Sequence, residues 1–138
     1  MALDGGGGGG GPVGVSNSFT GVAQALDLYG NFAAAYSGGV SVDNNETTLV
    51  EFTSGNFIFV GRWRGDYFEN AGDDARWVLY FNDGKIQSMT ASRNYEAGRE
   101  SPIDVVIPPY TQVKITAQNV TDTSTLELMT SMVGAIYR

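Results

Sequence analysis

The fold is decided by residues 76–93, which read RWVLYF, then NDG, then KIQSMTASR. After Arg76 the five residues Trp77–Phe81 are a continuous apolar and aromatic run, which is typical of a β-strand. Asn82-Asp83-Gly84 predicts a tight hairpin turn, because an Asp-Gly pair readily supplies the positive φ that such turns require. Residues 85–93 then predict the returning strand.

Outward from this hairpin, similar runs and turn residues predict further strands at 40–43, 47–52, 57–64, 103–107, 112–120 and 125–137. The segment 112–120 alternates most clearly, with Val113, Ile115 and Ala117 on one face. The segment 57–64 is apolar on both faces through Val60, which favours a central strand. About eight strands with this spacing predict an all-β fold, an antiparallel β-sandwich of jelly-roll type. We expect its core to include Phe57, Phe59, Trp77, Leu79, Ile115 and Leu126.

Residues 1–38 differ from the rest, and we expect a glycine-rich N-terminal arm that precedes a β-sandwich domain at residues 39–138. Gly5–Gly11 is an unbroken run of glycines, which reads as a flexible linker or as a segment clamped by neighbouring subunits. Over residues 16–38 the apolar residues recur at helical spacing, but Gly21 and Gly30 weaken that pattern. A short helix and an extended segment therefore both remain open.

The same arm is the candidate assembly element. It carries too much apolar surface to remain in water without a partner, and it contains no Lys or Arg that could contact phosphates or anionic lipid. We therefore expect it to hold subunits together, while residues 39–138 fold without it. Its candidate contact residues are Gly5, Gly11, Phe19, Leu26, Tyr29, Phe32 and Tyr36.

Composition narrows the classes of function. The net charge is −7, and the first basic residue is Arg62, which argues against nucleic-acid binding. The absence of both Cys and His excludes disulfides, imidazole and thiolate metal sites and a Ser-His-Asp triad. No run reaches the ~18 apolar residues of a membrane span, and the N-terminus lacks the features of a signal peptide. We therefore expect no catalytic residue, no cofactor, no metal and no membrane partner.

One loop combines the acids Asp66, Glu69, Asp73 and Asp74 with Asn70. Such oxygen-rich loops can bind calcium, and two of the acids could form a glycosidase pair. The residue order of an EF-hand is absent, so a solvated acidic loop is the favoured interpretation.

Two other patterns suggest binding and also have structural explanations. Arg64-Gly65-Asp66 is the tripeptide that integrins recognise, but Gly and Asp commonly form turns, and a turn that ends a strand is favoured. Exposed aromatic residues could stack on a sugar, yet large aromatics on strands more often belong to the core. The aromatic candidates are Trp63, Tyr67, Trp77, Tyr80 and Tyr110.

Six segments between residues 35 and 137 can be compared with those of a known class of proteins: Ala35–Val42, Thr47–Phe52, Trp77–Gly84, Ile107–Ile115, the turn at Asn119 and Gly134–Tyr137. They resemble segments of small virion structural proteins of tailed phages and related viruses, whose jelly-roll or sandwich domains serve in capsid decoration, fibres or vertices. The resemblance implies homo-oligomeric assembly on a virion, and it offers no catalytic residues to carry over. The seven-glycine tract departs from that family.

Three functions stay open at this point: a virion or other extracellular assembly protein, a carbohydrate-binding sandwich module with exposed aromatics, and a hydrolase built on paired acids. The missing His and the low charged fraction of 17% favour the first. We expect partners to be further copies of this chain and other virion proteins, with a glycan or cell-surface receptor left open.

Overall fold

The computed structural model describes residues 21–68, 72–91 and 102–138. Every regular element within these ranges is a strand, and none of the described residues forms a helix that could cross a membrane. The strands are β1 (Asp27–Tyr29), β2 (Phe32–Tyr36), β3 (Val40–Val42), β4 (Thr47–Thr53), β5 (Ile58–Tyr67), β6 (Ala75–Phe81), β7 (Gly84–Ala91), β8 (Ile103–Ile107), β9 (Gln112–Asn119) and β10 (Leu126–Tyr137).

The strands form two antiparallel sheets. One has six strands in the order β1-β2-β10-β5-β8, with β3 pairing with β10 beyond the end of β2. The other has four strands in the order β4-β9-β6-β7. The predicted all-β fold of antiparallel sheets is therefore confirmed, and β5 is a central strand, as its apolar character on both faces indicated.

The strand pairs are nested along the chain. β6 pairs with β7, β5 with β8, β4 with β9, and β3 with β10. The innermost turn contains Asn82 and Asp83, whose φ angles of 50° and 67° are those of the tight hairpin predicted from the sequence. The chain from β3 to β10 is thus one long hairpin, folded so that successive pairs fall alternately into the two sheets.

One apolar core lies between the sheets. β5 and β10 contribute Phe59, Trp63 and Met132 from one side, and the four-stranded sheet contributes Trp77 and Ile115 from the other. Five of the six predicted core residues are buried, and Phe57 is half-buried and packs against the others. The buried five are Phe59, Trp77, Leu79, Ile115 and Leu126.

The domain boundary expected at residue 38 does not coincide with the observed fold. β2 pairs with β10 along its whole length and buries Ala33 and Ala35 in the core. Ala23 adds a parallel bridge to Val50 of β4. Residues 21–38 therefore belong to the sandwich and are extended, because pairing with β10 overrides the helical spacing of their apolar side chains.

Candidate assembly surface

The outer face of the six-stranded sheet is unusually apolar. Side chains alternate along a strand, so β5 directs Phe59 and Trp63 into the core and Ile58, Val60 and Arg62 outward. β10 likewise buries Met132 and Ile136, while Val133 and Ala135 point away from the core. Every second residue of these central strands therefore contributes to the outer face.

Strand register aligns five apolar residues in a row across that face. Tyr29 lies opposite Phe32, Phe32 opposite Ala135, Ala135 opposite Val60, and Val60 opposite Val106. Tyr29 is 52% exposed, Phe32 66% and Val106 57%. We call these five residues the apolar row, and it crosses all five strands from β1 to β8.

Three neighbouring side chains widen this surface. Ile58 and Tyr137 face each other on one side of the row, and Val133 lies on the other side. All three are exposed on the same outer face. The apolar row together with Ile58, Val133 and Tyr137 is called the apolar face below.

The outer face of the four-stranded sheet has the opposite character. The register there places Glu51 opposite Lys114, Lys114 opposite Tyr80, and Tyr80 opposite Lys85. Its neighbouring cross-strand positions include Thr48 opposite Thr116, and we call this outer surface the polar face. One exposed sheet face is thus polar, as is usual for an antiparallel sheet in water, and the other is not.

Side chains of the polar face make hydrogen bonds within the chain. The Glu46 carboxylate accepts from Tyr80 Oη and from Thr116 Oγ1, each at 2.6 Å. These bonds, first that from Thr116 and then that from Tyr80, lower the pKa of Glu46, and nearby Lys85 and Lys114 act in the same direction. The Lys114 ammonium also lies 5.0 Å from the centre of the Tyr80 ring.

A pair of glycines sets the approach of the two strands beneath the apolar face. Gly61 of β5 lies opposite Gly134 of β10, and both face the core. A Cβ on Gly61 would lie 2.6 Å from Cζ of Phe59 and 2.7 Å from the Gly134 Cα. A side chain at either position would therefore displace backbone, so the close pairing of β5 and β10 requires glycine at both.

A second row, next to the apolar row, carries charges at its ends. It runs Asp27, Ala34, Val133, Arg62, Asp104, and we call it the charged row. The Arg62 Nε lies 3.4 Å from the Asp104 carboxylate, and both side chains are largely exposed. Asp27 is at the opposite edge, where burial raises the pKa of its carboxyl.

The structure separates the residues assigned to the assembly arm. Tyr29 and Phe32 both lie in the apolar row, whereas Leu26 is half-buried and packs against the core. Tyr36 is exposed on the outer side of the same sheet, where it and Arg64 line a cavity of about 270 Å³. The remaining arm residues, Gly5, Gly11 and Phe19, lie outside the described residues.

Sequence reasoning missed the contribution of β5, β8 and β10 to this surface. The sequence patterns place five further residues of this surface in strands and assign them to no site: Ile58, Val60, Val106, Val133 and Tyr137. The available signal was the apolar residues on both faces of β5, which indicated a central strand and also an apolar outer face.

The tripeptide Arg64-Gly65-Asp66 is not the turn that the sequence favoured. It lies inside β5, paired with Ser131, Thr130 and Met129 of β10 in that order. Gly65 faces the core, where a Cβ would lie 2.5 Å from Cδ2 and 2.7 Å from Nε1 of Trp77. The strand continues to Tyr67 because β10 is long enough to pair with it, so the tripeptide is not displayed at a loop tip.

The acidic loop packs against a buried asparagine. The Asn119 amide donates to the Asp73 carboxylate at 3.0 Å and to the Ser124 carbonyl oxygen at 2.9 Å, and its oxygen accepts from the backbone N–H of Thr121 at 2.8 Å. Among the residues that the structure describes, no group of three or more acids is placed to hold a metal ion. Glu69 and Asn70 of the predicted loop lie outside them.

Most of the aromatic residues considered for sugar stacking are in the core. Trp63 and Trp77 are fully buried and Tyr67 is 8% exposed, which confirms the structural interpretation for these three. Tyr80 belongs to the polar face. Tyr110 is 67% exposed in the turn between β8 and β9, far along the chain from the other candidates.

Comparison with protein-family models, with curated proteins and with solved structures found no match for this chain.

Proposed function

We propose that this chain is a non-enzymatic structural protein that self-assembles through its apolar face, and that it serves as a component of a virion. The observation that carries the proposal is the apolar row, which is continuous across five strands instead of scattered. Apolar residues occur singly on most protein surfaces, but a contiguous patch of this kind marks an interaction site.

The size of the surface supports the same conclusion. Its seven exposed side chains present roughly 700 Å² to solvent, more than the ~300–600 Å² of the largest patch on a typical monomer. A stable protein interface buries about 800 Å² on each partner. The apolar face is therefore large enough to form most of one interface.

The nested strand pairs favour the jelly-roll form of the sandwich. A jelly roll contains eight strands in two sheets, and it is common in viral capsid and lectin domains. Strands β3 to β10 are eight in number, and their pairing from the outermost pair to the Asn82-Asp83 turn follows one folded hairpin. We assign β1 and β2 as an N-terminal extension that widens one sheet of this jelly roll.

The experiment is sedimentation velocity of the full chain and of two lysine variants. Val60→Lys places a charge at the middle of the apolar face, and Ile86→Lys places the same charge on the other sheet, at a residue that is 52% exposed. We expect the wild type to be oligomeric, Val60→Lys to dissociate, and Ile86→Lys to sediment as the wild type does. Equal behaviour of the two variants, with both folded, would contradict the proposal.

The arm hypothesis is tested by a shorter deletion than the sequence suggested. Removal of residues 1–38 would take away β2 and its buried alanines, so the deletion must end before Gly21. If the arm contributes beyond Tyr29 and Phe32, deletion of residues 1–20 will leave a folded protein that forms a smaller oligomer. An unchanged oligomer would restrict the arm's role to the strands.

One observation favours the carbohydrate-binding alternative. Tyr29 and Phe32 are adjacent exposed aromatics on neighbouring strands, and such pairs can stack on a sugar ring. Glycan binding by a monomeric wild-type protein, lost in Phe32→Ala, would support this function over self-assembly.

A further inference from the structure

We infer that the partner on the apolar face is a second copy of this chain, related by a two-fold axis that runs parallel to the strands, midway between β2 and β10. This inference rests on the proposed function and specifies its first contact. Sheets of two copies would pack face to face, about 10 Å apart, as the sheets of a sandwich do.

Such an axis exchanges strands in a defined way. It places β2 on β10 of the second copy and β1 on β5 of the second copy, and every contact occurs twice because the interface is isologous. Since β1, β2, β10 and β5 are consecutive in the sheet, all four strands enter the interface. β8 then lies at its rim.

Side-chain size is complementary across this axis. In the apolar row, Phe32 meets Ala135 of the second copy and Tyr29 meets Val60 of the second copy. Phe32 is the more exposed of the two aromatics at 66%, and it meets the smallest residue of the row. Tyr36 similarly meets Ser131 of the second copy, so each large side chain faces a smaller one, as interdigitating sheets require.

Charge is complementary across the same axis. In the charged row, Asp27 meets Arg62 of the second copy, while Ala34 meets Val133 of the second copy. Asp27 and Arg62 lie about 7 Å on either side of the axis. A crossing angle of about 30° between the sheets would displace them by only about 4 Å, which an arginine side chain can span.

A two-fold axis that runs along the rows, across the strands, lacks this match. An axis along the rows would place each residue on its own counterpart, so that Phe32 would meet Phe32 or Asp27 would meet Asp27. Like-charge contacts in an interface are unfavourable. A contact between two Phe32 side chains would also hold the sheets too far apart for Ala135 to contact its own counterpart. The rows therefore select the axis parallel to the strands.

The first test uses the two charge reversals Asp27→Arg and Arg62→Glu in the full chain. Each variant alone would place like charges together at both contacts, so we expect dimerisation to weaken by about tenfold or more. In a 1:1 mixture, the introduced arginine of one variant meets the introduced glutamate of the other, and the unchanged Arg62 meets the unchanged Asp27. The mixture should therefore form heterodimers with close to wild-type affinity, measured by sedimentation equilibrium.

A second pair tests side-chain size without altering charge. Phe32→Ala and Ala135→Phe should each weaken the homodimer, and their mixture should restore dimers. In the mixed dimer, the unchanged Phe32 meets the unchanged Ala135 at one contact. At the other contact the introduced alanine meets the introduced phenylalanine. The matched control for the charge reversals of the first test is Lys114→Glu, a charge reversal on the polar face, which should dimerise as the wild type does. Circular dichroism and thermal melting of each variant verify that it is folded.

The outcomes separate the two proposals. Restored dimers in the mixtures support the axis. A dimeric wild type whose variants are not rescued by mixing overturns this axis and leaves self-assembly through the apolar face standing. A wild type that stays monomeric at every concentration overturns both.

Discussion

The substitution Gly65→Ala should be strongly destabilising, although it adds a single methyl group. The new Cβ would lie 2.5 Å from Cδ2 of Trp77, where ordinary contact needs about 3.4 Å or more. Trp77 has little freedom to yield: it is fully buried, its Nε1 donates to the Met129 carbonyl oxygen at 3.1 Å, and the Tyr67 ring packs against it at 80° with ring centres 6.0 Å apart.

The expected cost combines two terms of known size. Overpacking a core costs about 1–3 kcal/mol, and loss of the indole hydrogen bond adds about 1 kcal/mol. Replacement of a strand glycine by alanine would otherwise gain about 0.5–1 kcal/mol. The free energy of unfolding should therefore fall by about 2–3 kcal/mol, which corresponds to a Tm lower by roughly 10 °C for a domain of this size.

Urea denaturation, monitored by tryptophan fluorescence, measures this fall in the free energy of unfolding. Gly84→Ala is the control, because the nearest atom to a Cβ there is the Phe81 carbonyl oxygen at 3.4 Å, an ordinary contact. Gly84→Ala should remain within about 1 kcal/mol of the wild type. A Gly65→Ala variant as stable as that control would refute the argument that the glycine of Arg64-Gly65-Asp66 is retained for packing against Trp77.

Three further predictions concern the polar groups of the fold. Burial and, to a smaller extent, the nearby Asp74 carboxylate raise the pKa of Tyr67 to about 12, from 10.0 in the unfolded chain. The free energy of unfolding should therefore fall as the pH rises from 10 towards 12. Urea denaturation at a series of pH values should show a much smaller alkaline loss in Tyr67→Phe. The pKa of Glu46 is lowered from 4.5 in the unfolded chain, so its carboxylate stabilises the fold above pH 4.5 and this contribution is lost as the pH falls below 4.5. The difference in unfolding free energy between wild type and Glu46→Gln should be below ~1 kcal/mol at neutral pH and should shrink in acid. A difference that grows in acid would contradict this. Asn119→Ala should cost about 1–3 kcal/mol in thermal or urea unfolding, because it leaves the partly buried Thr121 N–H, the Ser124 carbonyl oxygen and the Asp73 carboxylate without their partner.

Local signals in the sequence were sufficient for the strands and for the central turn. The hairpin at Asn82-Asp83-Gly84 follows from the chemistry of those residues, and the alternation of β9 follows from the period of two along a strand. Both depend on neighbours a few residues apart. They are therefore readable without knowledge of which strands meet.

The N-terminal strands could not be identified in the same way. In β2 the three alanines, Ala33, Ala34 and Ala35, are buried, whereas Phe32 and Tyr36 are exposed, so the larger apolar residues point away from the core. Assigning the larger apolar residues to the core would therefore predict the wrong buried face for this strand. Only its pairing with β10, more than ninety residues away along the chain, fixes which face is buried.

The apolar face is a property of register and not of any one segment. Each contributing strand shows one or two exposed apolar residues, which is ordinary for a soluble protein. The row appears only when Val60 is placed between Ala135 and Val106, and Phe32 beside Ala135. Sequence patterns could therefore nominate Tyr29 and Phe32 as contact residues but could not find the strands that complete their surface.

The position of β10 would allow one strand to specify both the fold and the proposed assembly. It lies at the centre of the six-stranded sheet, where Met132 and Ile136 point into the core and Val133 and Ala135 point outward. Because the two sets alternate, a substitution at an inward residue acts on the free energy of unfolding, and under the proposed function one at an outward residue acts on association. A strand of twelve residues can in this way satisfy both requirements, provided that its register with β2 and β5 does not slip by one residue, which would exchange the two faces.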